Sequence, residues 1–419
     1  MNNLVSRNIT FRLYPSRVQA QILWEWLGEH CDLYNVALDH RREAYEKHGI
    51  MISYRDQQNE LPEIKKELPV LIPLGSHALQ ETLKRLDRAF QAFFRRVRMG
   101  ETPGYPRFKS KSRFDSFCYP DPAGWRAVQK EGKSAVLHIA HCGEIRMRGR
   151  SRVRIFKGEP RTLTIKRVGM YWYATICVRY EESLLYRRVD SDRMAVGIDA
   201  GCKNLAYISD GNIIDNPRPL AKAIKRLKHQ QRELSRKQKG SKNRFKTRSI
   251  LQHMHRHVAY QRINFHHQIS ARLVRQYSFI AIEDLQLKNM SRSAKGTIEQ
   301  PGKNVKAKSG LNRSILDASI GMLFQFIEYK AAEAGTWLEK VAPHGTSQLC
   351  SQCGADVPKS LSTRVHRCDC GFIADRDYNA ALNILARGLK QVGLEQANVW
   401  RGGVSPPEKH ETSASKVVV

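Results

Sequence analysis

Two cysteine pairs offer the sharpest chemistry in the sequence: Cys350-Ser-Gln-Cys353, then Cys368-Asp-Cys370, with 14 residues between the pairs. Thiolates on two adjacent turns can complete a tetrahedral shell around a single Zn²⁺, and a site with all four positions filled by protein is structural rather than catalytic. The chain has 9 cysteines, an odd number, and the other five are scattered. In a reducing compartment such clustering favours a metal over disulfides. The one-residue spacing of the second pair is tighter than the usual two but compatible with zinc.

A second constellation is acidic. Asp199 follows an apolar run in AVGIDAG, Glu283 ends another in SFIAIEDL, and Asp377 sits where a helix begins in DRDYNAALNI. Singly, each reads as a strand-end turn or a helix cap. Together they are unexpected in a chain with 71 Lys+Arg against 40 Asp+Glu. A protein that gathers phosphates on basic side chains has little electrostatic reason to turn carboxylates inward unless they hold cations. Three carboxylates from two strands and a helix could bind two Mg²⁺ ions about 4 Å apart, activating water and stabilising the leaving oxygen in phosphodiester hydrolysis. Asp284 and Asp375 compete for these places. Asp377 is preferred because it lies two residues before Asn379 and heads the NAAxN helix.

The formal charge of +31 calls for a polyanionic partner. A membrane is the weaker choice, because no run of about 18 apolar residues occurs and the start, MNNLVSRNITFRLYPS, holds no signal-peptide core. The expectation is a cytoplasmic protein, associated with the nucleoid when bound to DNA. Ala221–Arg256 carries 13 Lys/Arg and one acidic residue, which makes Lys225, Arg226, Arg232 and Arg236 candidates for phosphate contacts. A second basic region, Lys84–Arg113, contributes Lys84, Arg85, Arg95, Arg96, Lys109 and Lys111, interleaved with Phe90, Phe93, Phe94, Tyr105 and Phe108. The helical phenylalanines read as core rather than base-stacking platforms.

The elements that must position these residues follow from periodicity. Residues 7–14 read as an exposed strand. From Ser16, apolar residues Ile22, Leu23, Trp26, Leu27, Cys31, Tyr34 and Leu38 recur at helical steps, and a second helix opens at Ser76 as N-cap and closes at Gly100. Beyond TPGYPRFKSKSRF, short segments such as AVLHIA, EIRMR, RTLTIKRV and MYWYATICVRYE suit a small barrel or sandwich, with the two helices inserted into it. A third unit begins near Met194: three strands (MAVGIDA, NLAYISD, IID), a long basic helix, SFIAIEDL, the helix ILDASIGMLFQFIEYKAAEAG, the strand TWLEKVAP, the cysteines and a last helix. This is α/β with a partly antiparallel sheet, so the whole chain is a multidomain mixture of α+β and α/β. The tail from about residue 395 has little pattern and is expected to be disordered.

In this order, FRLYPS, DLYNVALDHRR, SHALQETLKRLDRAFQAFFRR, PRFKSK, VGIDAG, IAIEDL, GLNRSILDAS, TSQLCSQCG and DCGFIADRDYNAALNIL resemble the TnpB (OrfB) family of transposon-encoded proteins, related to the compact type V CRISPR nucleases. The resemblance implies a RuvC-type nuclease domain of RNase H-like fold interrupted by a zinc ribbon. It also implies a guide RNA derived from the transposon end, a short flanking motif read on the double-stranded DNA target, and cleavage of that target, with base pairing supplying most of the specificity. Asp199, Glu283 and Asp377 match the three RuvC carboxylates, and the four cysteines match the ribbon ligands. By the same resemblance, 1–15 and 116–190 form a wedge-like β-barrel and 16–115 a helical recognition lobe. Residues 191–341 and 375–394 form the nuclease domain, 342–374 the target nucleic-acid-binding zinc ribbon, and 395–419 the tail. Tyr54, Ser76 and Gln80 resemble the part that contacts the flanking motif, and Asn289–Asn312 a mobile lid. The alternatives are a catalytically silent RNA-guided DNA-binding regulator and a guide-independent transposase; a homodimer stays open.

Overall fold

A computed structural model describes residues 4–130, 135–148, 155–181, 194–296, 300–360 and 362–393. The chain separates into two compact units, Met1–Leu184 and Leu185–Val419. The expected disordered tail lies outside the described residues, as does part of the expected lid. Among the described residues no helix is long and apolar enough to cross a membrane.

The first unit is a sheet with a helical insertion. β1 (Leu4–Tyr14) leads through Ser16 into α1 (Arg17–His48), then α2 (Tyr54–Glu67), a 3-10 turn (Pro69–Leu74) and α3 (Ser76–Arg98). β2 (Ser116–Tyr119), β3 (Trp125–Gln129), β4 (Ala135–Ile139), β5 (Gly143–Arg148), β6 (Glu159–Val168) and β7 (Tyr171–Glu181) complete a 7-stranded sheet in the order β2-β6-β7-β1-β5-β4-β3, with every pairing antiparallel. β1 is central rather than exposed: it pairs on both edges and buries Phe11 and Leu13. Its polar residues Ser6, Asn8 and Thr10 are exposed on the alternate face.

α1 starts where Ser16 and Gln19 exchange hydrogen bonds in a capping box, at 3.2 and 3.0 Å. Two features were not legible in the sequence. α2 buries only Gln57 and Leu61, too few apolar positions to show a period; it is tied down by the buried Arg41, which donates to Gln57 (2.8 Å) and Asp87 (3.1 Å). Ser76 is the first helical residue and not the cap. Gly75, at φ 80°, turns the chain into α3, and the Ser76 hydroxyl accepts from Lys65 at 2.8 Å.

The second unit has a 5-stranded sheet in the order β10-β9-β8-β11-β12, formed by β8 (Ala195–Ala200), β9 (Asn204–Ile208), β10 (Ile213–Asp215), β11 (Phe279–Glu283) and β12 (Trp337–Val341). β8, β9 and β10 form an antiparallel meander; β11 and β12 run parallel to β8. The basic stretch is two helices, α4 (Pro219–Arg236) and α5 (Lys242–Gln276), separated at Gly240 with φ 87°. α6 (Leu287–Met290), α7 (Val305–Ala318) and α8 (Ile320–Ala334) follow β11. The sequence suggests one helix across α7 and α8, but Ser319 at φ 52° breaks it. At that break the buried Asp317 accepts the Leu220 and Ala221 N–H groups, both at 3.0 Å, and pairs with Arg262 at 3.1 Å. The carboxylate thus caps α4 from a distant segment. A hairpin of β13 (Val365–Arg367) and β14 (Ile373–Asp375) leads directly into α9 (Arg376–Gln391).

Strand alternation sorts the faces. Val196, Ile198, Ile280 and Ile282 pack with Leu273 of α5 and Leu323 and Ile327 of α8. Phe279 and Ala281 pack instead with Ile384, Leu385 and Leu389 of α9. Gly197, beside Ala281 in register, lies under the same helix; a Cβ there would sit 2.2 Å from the Ala381 carbonyl oxygen and 2.5 Å from the Leu385 nitrogen. We therefore expect Gly197→Ala to lower unfolding stability by about 3 kcal/mol, the upper range for overpacking. Gly310→Ala, in α7 with nothing within 4 Å of its Cβ, should be neutral or stabilising by up to about 1 kcal/mol. Urea titration of both variants checks the contrast.

Candidate active site and metal centre

Two residues beyond Gly197 on β8 comes Asp199, and two beyond Ala281 on β11 comes Glu283. The period of two puts both carboxylates on the face covered by α9, whose second residue is Asp377. Packing of α9 onto the sheet therefore delivers the third carboxylate to the ends of the two parallel strands. Glu283 is 8% exposed and Asp199 half-buried. The Asp199 carboxyl is held well above the usual carboxylate range, first by burial, then by the charges of Glu283 and Asp377, with Arg376 opposing and Asp375 adding to the rise. Glu283 is also raised by burial, opposed by a hydrogen bond from Thr346 and the Arg387 charge. The fold thus sets the sequence-predicted trio on one face of the sheet, where Asp199 feels the charges of both Glu283 and Asp377.

The competitors have other places. Asp284 is exposed, one residue past the strand end. Asp375 caps α9, its Oδ1 accepting the Asp377 N–H at 2.8 Å.

Sequence reasoning missed the residues that hold the trio. Asp377 Oδ1 accepts from the Arg376 guanidinium at 3.0 Å, and Oδ2 from Arg364, the residue just before β13, at 3.5 Å. Thr346 donates to Glu283 at 2.6 Å, and its carbonyl accepts from Asn383 at 2.9 Å. Asn379 and Asn383 both donate to the Leu349 carbonyl, at 2.8 and 2.7 Å, and Asn379 accepts the Ser351 N–H at 3.0 Å. Both asparagines are buried among the apolar residues of α9. Two amides four residues apart on a core-facing helical stripe were a signal for this clamp, since buried amides require partners.

Those bonds flank Cys350, so α9 grips the first cysteine turn directly. The four sulfurs lie within 4.8 Å of one another, with Cys350–Cys370 at 3.7 Å and Cys353–Cys368 at 3.5 Å. Zn–S bonds of about 2.3 Å in a tetrahedron require S···S separations of about 3.8 Å. Burial would raise the Cys350 thiol, but the N–H groups of Cys353 and Gln352 outweigh it and hold the thiol at about 6. Cys368 is pushed up to about 12: the Cys370 N–H lowers it, while burial and the neighbouring sulfurs prevail. Thiols this close ionise together only with a cation between them, and the donor set fits Zn²⁺. The carboxylates, crowded oxygen donors, fit Mg²⁺.

The candidate nucleic-acid contacts divide into two kinds. Lys84, Arg95, Arg96, Lys111, Lys225, Arg226, Arg232 and Arg236 are exposed, and Tyr54 and Gln80 are half-buried on α2 and α3. Arg85 and Lys109 are engaged internally: Arg85 donates to the Ser116 carbonyl at 2.9 Å and stacks on Phe114, and the Lys109 ammonium lies 4.3 Å from the Tyr34 ring centre. Phe90 is buried as expected, whereas Phe94 is 49% exposed.

Two expectations follow. A carboxyl raised in the folded state contributes stability below the ordinary range near 3.9 and loses it as pH rises through the folded value. In magnesium-free buffer at neutral pH, Asp199→Asn should therefore melt about 2–4 °C above the parent, as about 1 kcal/mol gives in a unit this size. The gap should close towards pH 4, and excess Mg²⁺ should stabilise only the parent. For the cysteines, metal analysis should find about one zinc per chain, lost in Cys350→Ser/Cys353→Ser, with melting of the second unit at lower temperature.

Comparison with known families gives three matches: "Probable transposase" (OrfB_IS605) over residues 175–294, "Cas12f1-like, TNB domain" over 321–384 and "Helix-turn-helix domain" (HTH_OrfB_IS605) over 1–49. The described part of 1–49 folds as β1 and α1. "Putative RNA-guided DNA endonuclease InsQ" of Escherichia coli K12 is 34% identical over 90% of this chain and 91% of its own length. A "CRISPR-associated endodeoxyribonuclease Cas12f1" of Sulfoacidibacillus thermotolerans is 24% identical over 90% of each chain. The solved structure of a Cas12f1-sgRNA-target DNA complex contains a chain of the same fold, with a TM-score of 0.57 at 13% identity, covering 91% of this chain and 98% of that one. With a relative that similar over nearly its whole length, the chain belongs to the TnpB (OrfB) family.

Proposed function

We propose that the protein is an RNA-guided DNA endonuclease whose active site is Asp199, Glu283 and Asp377. The observation that carries this reading is the placement of three carboxylates under α9, where burial first and the charges of Glu283 and Asp377 next hold the Asp199 carboxyl above the usual range. A catalytically silent guide-binding protein has no use for that placement, which lowers its stability. The 5-stranded sheet, with an antiparallel meander followed by two parallel strands, supports a RuvC-type, RNase H-like nuclease domain over 191–341 and 375–394. The cysteine segment 342–374 is read as its zinc ribbon. Residues 1–15 and 116–190 are read as the wedge-like barrel, and 16–115 as the recognition lobe.

In this mechanism Asp199, Glu283 and Asp377 hold the reacting centre from two strand ends and a helix start. Bound Mg²⁺, expected as a pair, would lower the pKa of an attacking water and stabilise the leaving oxygen. Thr346 keeps Glu283 oriented, and the Arg387 charge favours its ionised form. Arg376 and Arg364 neutralise Asp377, and their guanidinium groups are placed to receive a DNA phosphate beside it. Exposed cations on α3 and α4 hold guide RNA and heteroduplex by their backbones, while base pairing selects the sequence.

Expressed with its flanking transposon sequence, the protein should co-purify with one discrete RNA and cleave matching double-stranded DNA only with Mg²⁺. Asp199→Ala and Glu283→Ala should each reduce cleavage by at least about a thousandfold while guide and target binding stay within about twofold. Lack of any bound RNA would favour a guide-independent transposase; substantial cutting by either variant would remove that residue from the mechanism.

A further inference from the structure

A hydroxyl group points into the acidic cluster without a task in the mechanism above. Tyr207 lies on β9 directly opposite Asp199 in the antiparallel register. Residues so paired project on the same face, so its ring lies on the carboxylate side of the sheet. The neighbouring residues Leu205, Ala206 and Ile208 are apolar and buried, and Tyr207 itself is 8% exposed. Packing alone would be served by phenylalanine.

The hydroxyl is the middle of a hydrogen-bonded chain. Asn204, at the start of β9 just past the turn that follows Asp199, donates its side-chain amide to Tyr207 Oη at 2.9 Å. Tyr207 donates to Asp375 Oδ2 at 3.4 Å, the longest link. Asp375 Oδ1 in turn accepts the backbone N–H of Asp377 at 2.8 Å. Asp375 is exposed, so the helix N–H alone would leave its carboxylate free to rotate; the phenol fixes the second oxygen. The chain therefore joins the turn after Asp199 to the first turn of α9, two segments that meet only in the folded protein.

We propose that Tyr207 is a positioning residue of the nuclease site: through Asp375 it sets the separation between Asp199 and Asp377, and with it the affinity for divalent cations. This rests on the nuclease reading above. Partners of this outer kind typically change metal affinity by about 10–100-fold when removed. Tyr207 makes no claim on substrate, so its loss should act on metal occupancy rather than on the rate once metal saturates.

The test is Tyr207→Phe, which keeps the ring and removes the hydroxyl, with Asn204→Ala as a second variant that breaks the same chain one link earlier. Mn²⁺ binding to the nucleic-acid-free protein, followed by electron paramagnetic resonance, should weaken about tenfold in both. The Mg²⁺ concentration for half-maximal cleavage should rise by a similar factor, while the rate at saturating Mg²⁺ stays within about threefold and zinc content is unchanged. Tyr207→Phe/Asp375→Asn should be no worse than the more affected single variant, since both changes act on one link. Unchanged Mn²⁺ binding in Tyr207→Phe overturns the proposal. So does a fall in the saturated rate at unchanged Mg²⁺ dependence, which would place the hydroxyl on the substrate. If instead the parent binds no Mn²⁺ at the carboxylates, the nuclease reading itself fails, a result separate from any difference between parent and variant.

Discussion

Three like charges held under one helix are the constraint around which the second unit is built. Asp199 and Glu283 are withdrawn from water, and Asp199 also feels the charges of Glu283 and Asp377, so the fold holds the carboxylates in place against burial and like charge. The opposing term is packing. The close seat of α9 on the bare backbone of Gly197, the apolar contacts of Ile384, Leu385 and Leu389, and the fit of Gly388 against Ala281 leave the helix no other height above the sheet. Buried carboxylates on rigid elements are the arrangement that the proposed metal site requires, at some loss of stability.

The cysteine centre serves the same end. Its first turn is bonded to Asn379 and Asn383 of α9, and the loop just before it supplies Thr346 to Glu283. The second pair sits in the turn of the β13–β14 hairpin, which Arg364 precedes and which runs without a break into α9. A structural metal here would therefore fix both sides of the carboxylate cluster, and its loss would be felt at the carboxylates and not only among the cysteines. Asp317 plays a comparable part at the other end of the unit, capping the basic helix α4 from the break between α7 and α8.

Much of this was legible in the sequence. Apolar runs ending in Asp199 and Glu283 marked strands, and the cysteine spacing marked a metal site. What escaped was whatever depends on contacts between distant segments. α2 has no apolar period because it is held by Arg41 and Gln57 rather than by a greasy face. The break at Ser319 is set by Asp317 reaching a helix about a hundred residues away. Arg376 and Arg364 looked like two more cations among 71 Lys+Arg, and only the fold shows them clasping Asp377. Arg85 and Lys109 show the converse: their charge suggested a phosphate partner, and the structure turns both onto aromatic rings.

The proposed function stands on Asp199, Glu283 and Asp377 together holding divalent cations at the reacting phosphate. Anomalous diffraction from crystals of the protein with its guide RNA and target DNA, grown with Mn²⁺, tests it most directly. Manganese peaks bounded by Asp199, Glu283 and Asp377 and touching a DNA phosphate are the expected result. Manganese absent from those carboxylates, with DNA seated there, would contradict it.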